Sequence, residues 1–255
     1  MSRPPEWPRR EFLAYGSILG WLPFFRPSHI SLAGARFQIV RNGGSKHRYL
    51  LIHGNEETAR QVLTRHIEAH QGIAYVIQNH TRTVAIDSGK LDPNRMFSRV
   101  GSEANLRKLN PDWMPERIQA ALSELDRGRE KLVRALLPPA GGLLIALHNN
   151  PEGYSVADEE PISDAKSIRE PGNPHAFYLC TDPEDFRILS ASAYNVVLQQ
   201  HGPKEDDGSL SRLAAARGIR YVNLEVGMGH AGRQKEMLDW LEWSLGESGV
   251  SGVRG

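Results

Sequence analysis

Six side chains in this sequence fall into four short clusters whose chemistries fit together. They are His53 and Glu56 in His53-Gly54-Asn55-Glu56, Asn94 and Arg95 in Asp92-Pro93-Asn94-Arg95, His148 in His148-Asn149-Asn150, and Glu225 in Leu224-Glu225-Val226-Gly227. Imidazole nitrogens and a carboxylate are ligands for a divalent metal. Asn beside Arg can hold a substrate carboxylate, the guanidinium through its planar fork. A carboxylate inside a run as apolar as 221–226 is costly to bury unless it is paired or works in a site. Each cluster also has an ordinary reading. Glu56 suits the first turn of a helix, where the dipole favours it, Asp-Pro-Asn is a common turn sequence, and Glu225 can be structural. Four such clusters at four strand ends are harder to explain that way.

The elements that must position them are short apolar runs alternating with helical patterns. Residues 49–52 precede His53, 83–86 precede the Asp92 cluster, 143–147 precede His148, and 220–226 carry Glu225. Further runs at 37–40, 73–77, 176–179 and 194–198 predict strands, and 56–71, 115–137 and 233–245 predict helices. In 115–137, Ile118, Leu122, Leu125, Leu132 and Leu136 fall mostly on one face, and Pro115 suits the first turn. The stretch 149–173, rich in Pro, Gly, Asp and Glu, reads as surface loop. This alternation predicts a single α/β domain with a central mixed, mainly parallel sheet flanked by helices. Open sheets of that kind place their chemistry at the carboxyl ends of the strands.

Composition narrows the classes. The 255 residues are 40% hydrophobic and 24% charged with a formal net charge of +1, so no bulk electrostatic argument favours nucleic acid or an anionic membrane. No apolar run approaches the length of a transmembrane helix. The single Cys180 excludes an intramolecular disulfide and a multi-cysteine zinc site. A metal must therefore sit on His and carboxylates.

In their order and separations the four motifs resemble the zinc carboxypeptidase superfamily, including its aspartoacylase and succinylglutamate desuccinylase branch. His53-Gly-Asn-Glu56 with His148-Asn is most similar to the acylases; Thr81-Arg82-Thr83-Val84 ahead of Asn94-Arg95 is more similar to the carboxypeptidases. The resemblance implies one Zn2+ per chain on His53, Glu56 and His148, with an open position for water. It also implies Glu225 as general base, Arg82 as oxyanion stabiliser, and Asn94 and Arg95 as the grip on the substrate carboxylate. From its place in the sequence alone, Arg82 either points into the cleft or is a solvated strand residue. Tyr194 is the best match to the peptidases' substrate-capping Tyr, or else a core residue. The Ala146-Leu147 pair stands where relatives often carry an acidic residue, so His148 is expected to lack the usual carboxylate partner. Little sequence follows Glu225, which leaves no room for the acylases' extra C-terminal β domain. The implied activity is therefore a metallocarboxypeptidase acting on small peptides, with an N-acyl amino-acid deacylase as alternative. A metal-free protein that captures carboxylate ligands is a third reading.

Two other regions carry expectations. Arg9-Arg10-Glu11-Phe12-Leu13, an apolar stretch over 14–25 and Ala33-Gly34-Ala35 resemble a twin-arginine export signal over 1–35, with 36–255 as the catalytic domain. The implied location is periplasmic or extracellular, or cytoplasmic if the segment is no signal. His66 and His70, four apart on one helix, read as surface residues; His230 lines the cleft rim or starts a helix.

Overall fold

Side chains that alternate along the central strands divide between two apolar layers and so bury a sheet on both faces. The structure, a computed structural model, describes residues 28–150, 153–201 and 205–246. Its strands are β1 (Ser28–Leu32), β2 (Ala35–Asn42), β3 (Arg48–Leu51), β4 (Gly72–Ile77), β5 (Val84–Ile86), β6 (Gly89–Leu91), β7 (Leu144–Asn150), β8 (Ala165–Ser167), β9 (Phe177–Cys180), β10 (Asn195–Leu198) and β11 (Tyr221–Gly227). The helices are α1 (Glu57–Ala69), α2 (Arg99–Leu109), α3 (Pro115–Leu136), α4 (Val156–Glu159), α5 (Pro183–Leu189), α6 (Leu210–Ala216) and α7 (Ala231–Leu245). Nine strands form one mixed sheet in the order β1-β2-β4-β3-β7-β11-β9-β10-β8, and β5 and β6 form a separate hairpin. The centre, β4-β3-β7-β11, is parallel; antiparallel pairing joins β2 to β4 and β11 to β9. The predicted α/β architecture is the observed one.

On β7, Leu144 and Ala146 pack toward α3, whose buried stripe of Ile118, Leu122, Leu125, Leu132 and Leu136 is the one its periodicity predicts. Leu143, Ile145 and Leu147 point the other way, into the layer that α1 and α7 fill with Leu63, Ile67, Leu238 and Leu241. Burying each such side chain contributes roughly 1.5–3 kcal/mol before entropy is charged against it.

Several expectations change. The strand at 143–147 runs on to Asn150, so His148 lies inside a strand rather than after it. The run at 83–86 is only a three-residue strand of the small hairpin, so Arg82 leads into that hairpin and not into the main sheet. The stretch 149–173 contains α4 and the edge strand β8. Residues 33 and 34 are the tight β1–β2 connection, where Gly34 N–H donates to Ala85 O at 2.9 Å, and Ala35, the first residue of β2, is fully buried. The twin-arginine segment thus overlaps β1 and the first residue of β2, and its residues 1–27 lie outside the described residues. No helix among the described residues is long and apolar enough to cross a membrane.

His66 is not on the surface. It is buried, edge-on to Tyr49 and stacked on His70 at 4.0 Å between ring centroids. Its Nε2 lies 3.6 Å from Glu242 on α7, which also faces His47 at 3.3 Å and accepts a 2.7 Å hydrogen bond from the Tyr49 hydroxyl. Burial alone would raise the Glu242 carboxyl, but the contacts from His47, His66 and Tyr49 outweigh it and hold the group well below the usual carboxylate range. A carboxyl depressed on folding contributes stability that is full above its unfolded pKa, about 4.3, and is lost as pH falls below it. Urea midpoints measured from pH 6 down to pH 3 should therefore fall more steeply for the native protein than for Glu242→Gln. Parallel curves would remove Glu242 from the acid limb.

Candidate metal centre

The chain runs from β3 outward through α1 to β4, then returns to place β7 on the other side of β3. That reversal opens a crevice at the carboxyl ends of β3 and β7, the usual ligand position in such sheets. His53 follows β3 directly, His148 lies near the end of β7, and Glu225 lies near the end of neighbouring β11. The β7–β11 ladder pairs His148 with Glu225 in register. Because side chains alternate along strands, His148 and Asn150 share a face with Asn223, Glu225 and Gly227. Gly54 makes the turn after β3 possible: a Cβ there would stand 2.4 Å from Asn79 O, so only glycine lets the 79–81 loop close over it.

His53, Glu56 and His148 are all buried, and one ligand atom from each lies within 4.8 Å of the others. His53 Nδ1 is 2.8 Å from Glu56 Oε1, and His148 Nδ1 is 3.2 Å from Glu56 Oε2. Glu56 Oε2 has no hydrogen-bond partner among the described residues. The other nitrogen of His53, Nε2, is 2.8 Å from Asp92 Oδ1. Both nitrogens of one buried ring therefore face carboxylate oxygens, and each of these contacts calls for a proton or a metal ion between the two atoms. Burial would lower the His53 pKa, but Glu56 and Asp92 together raise it. Burial would likewise raise Glu56, and the two imidazoles bring it down to about 2.

This donor set fits a divalent cation. Two imidazole nitrogens converge on one buried carboxylate, which is the ligand chemistry of zinc and its neighbours. Asp92 accepting from Nε2–H would leave the Nδ1 lone pair for a metal, the usual carboxylate support of a ligating histidine. The acidic partner thus belongs to His53, from a residue that reads in sequence as part of a turn.

Glu56 is the N-cap residue of α1, yet its side chain makes no capping bond because it turns into this cluster. Asn149, on the opposite face of β7, takes over: its Oδ1 accepts from Ala59 N–H in the first turn of α1 at 2.7 Å. Its Nδ2 lies 3.2 Å from Gln234 Oε1, and Gln234 donates to His148 O at 2.9 Å. The start of α1 and the end of β7 are tied together by these carboxamides.

Glu225 is buried beside the cluster, and Asn223 Nδ2 donates to its Oε1 at 3.0 Å. Its carboxyl is raised, chiefly by burial and with a smaller push from Glu56, against the pull of His148 and the Asn223 hydrogen bond. Arg82, Asn94 and Arg95 open on the same cavity of about 260 Å³. Arg82 reaches in from the rim, its Nη1 3.2 Å from Glu56 Oε1 and its Nε 3.5 Å from Asp92. Asn94 Oδ1 accepts from Leu210 N–H at 3.1 Å, and Arg95 stands 3.5 Å from Asp207.

Tyr194 is not in this cavity. It packs edge-on to Tyr178 at 5.7 Å and lies under the Arg233 guanidinium at 4.4 Å, on the α7 side of the sheet. The tyrosine that does line the cavity is Tyr154, whose hydroxyl donates to Glu159 at 2.6 Å. Sequence reasoning also passed over Asn223 and Arg212. Period-two spacing from Glu225 was a signal for Asn223; Arg212, on α6, carries none.

No protein-family model matches the chain, and no curated protein matches it. Solved structures do. The ectoine utilization protein EutE (DoeB) from Ruegeria pomeroyi matches at 16% identity over 83% of this chain and 60% of its own, with a TM-score of 0.46. Succinylglutamate desuccinylase from Vibrio parahaemolyticus matches at 13% identity over 87% of this chain and 67% of its own, TM-score 0.46. A metallopeptidase candidate from Shewanella denitrificans matches at 8% identity over 86% and 84%, TM-score 0.46. The chain spans only 60% of the first of them.

Asp92→Asn removes the charge behind His53 and leaves His53, Glu56 and His148, the three candidate ligands, in place. Its affinity for Zn2+, measured by competition with a chelator, should fall about 10–100-fold. An unchanged affinity would mean that Asp92 does not support a ligand.

Proposed function

We propose that this chain is a zinc-dependent hydrolase that cleaves an amide bond next to a free carboxylate, in the manner of a metallocarboxypeptidase acting on peptides. The observation that carries the proposal is the pairing of His148 with Glu225 across the β7–β11 ladder. It sets a buried carboxylate beside the His53–Glu56–His148 triangle, in one cavity with Asn94 and Arg95. His53, Glu56 and His148 would hold one zinc ion. When bound, that ion supplies Lewis acidity to the scissile carbonyl and to water.

The chain's own side chains do the rest. Glu225, with its carboxyl raised toward the working pH, takes a proton from water and delivers it to the leaving nitrogen. Asn223 fixes which oxygen of Glu225 is free to do so. Arg82 keeps N–H groups beyond those that meet Glu56 and Asp92, and directs them at the oxygen on which charge develops. Arg95 and Asn94 grip the substrate carboxylate, the Arg through two parallel N–H donors.

One observation favours the deacylase reading. Arg212 lines the same cavity, and its buried Nε has no hydrogen-bond partner among the described residues. A second cation near Arg95 suits an amino acid with two carboxylates. Activity on N-acyl-aspartate or N-acyl-glutamate but not on peptides would select it. The Arg9-Arg10 pair supports an export route, which fractionation of cells making the full chain would test.

Purified protein should contain about one zinc per chain by elemental analysis. His53→Ala and His148→Ala should each lose it, while Glu225→Gln should keep the metal and lose at least about 10²-fold in kcat. Near-native turnover by Glu225→Gln would exclude it as the base. Less than a tenth of an equivalent of zinc, with ligand affinity unchanged in Glu225→Ala, would instead select a metal-free binding protein.

A further inference from the structure

A second cavity, of about 530 Å³, lies beside the first, and Asn150 lines both. Ala176, Val226, Gly227 and Met228 give it an apolar part, and His230 and Arg233 line it as well. Asn150 is two residues beyond His148 on β7 and pairs with Gly227, as His148 pairs with Glu225. The reacting row of the sheet is thus followed, about 7 Å along the strands, by a row with a carboxamide on one strand and no side chain on the other.

The Asn150 carboxamide is 4% exposed, and its Nδ2 donates to His175 O at 2.7 Å. A carbonyl oxygen can only accept, so this bond fixes the amide's orientation. Oδ1 is then turned toward Gly227, 3.8 Å from where a Cβ would stand there, and it has no hydrogen-bond partner among the described residues. A buried acceptor without a donor is costly. A ligand that satisfies it must bring a hydrogen-bond donor, and in a peptide that donor is a backbone N–H.

The geometry points to the second cavity as the subsite for the acyl side of the substrate: Asn150 Oδ1 accepts the α-nitrogen N–H of the residue before the scissile bond, and the cavity takes that residue's apolar side chain. This rests on the proposed amide hydrolysis, and it names the substrate as a peptide rather than a short acyl-amino acid. With the terminal carboxylate on Arg95 and the scissile bond at Glu225, the remaining chain leaves past the Asn150–Gly227 row. A residue there offers a donor and a side chain; an acetyl or succinyl group offers no N–H at that position.

The test uses zinc-loaded Glu225→Gln protein and calorimetry. The probes are N-acetyl-phenylalanyl-X, the same molecule with its phenylalanyl N–H replaced by an ester oxygen, and N-acetyl-X, with X alanine, glutamate or lysine. Replacing N–H by oxygen should weaken binding about tenfold, and that difference should vanish when Asn150→Ala is added. Adding Gly227→Val should cut the preference for the phenylalanyl probe over N-acetyl-X at least about tenfold. Gly227→Ala, whose Cβ would meet His230 at an ordinary 3.4 Å, should cut it less and guards against misfolding. An N–H effect that persists in Asn150→Ala, or a preference untouched by both Gly227 variants, overturns the subsite. Binding of N-acetyl-X with no gain from phenylalanine overturns it too and leaves the hydrolase reading standing. Binding of none of the probes overturns the carboxylate grip, and the subsite falls with it.

Discussion

A carboxylate that is only 1% exposed, held between two imidazoles, is the constraint on which the rest of this structure depends. Ionised Glu56 cannot be buried unless its surroundings compensate it, because removing one partner from such a group costs several kcal/mol. His53, His148 and Arg82 supply that compensation, and Asp92 in turn compensates His53. The consequences reach the scaffold. Since Glu56 faces inward, α1 begins without its own side-chain cap, and Asn149 from a neighbouring strand provides one. Because the cluster takes the Glu56 side chain, the capping duty has passed to the residue after His148.

The division of labour follows the pleat. On β7 and β11 the face toward α3 carries His148, Asn150, Asn223, Glu225 and Gly227, while the face toward α1 and α7 carries Leu147, Asn149, Leu224 and Val226. A slip of one residue in the β7–β11 register would set Glu225 opposite Leu147 or Asn149 and separate it from His148. The strands are buried in two apolar layers, which makes that slip expensive. Core packing therefore holds His148 and Glu225 in register, and the precision of the site is inherited from the sheet.

Much of this was legible in the sequence because the strongest signals are local. Apolar runs that end in His, Glu or Asn mark strand ends, and the five-turn stripe of α3 could be read from Ile118 to Leu136. Asp92 was visible only as part of a turn, since its role depends on a ring thirty-nine positions earlier in the chain. Tyr194 was misplaced for a related reason: a Tyr before a strand has no intrinsic face, and here Tyr178 and Arg233 claim it. His66 seemed solvated because its partner Glu242 lies on the last helix. Short helices such as α5 and α6, of seven residues each, lack the length for a periodic signal. Contacts between distant segments decided all of these.

The most direct measurement is anomalous X-ray scattering at the zinc edge from crystals of the zinc-loaded protein. A single strong peak about 2.0–2.2 Å from His53 Nδ1, His148 Nδ1 and a Glu56 oxygen is the expected result. A peak bound by other residues, or none at full zinc loading, would contradict the assignment of these three side chains as the metal centre.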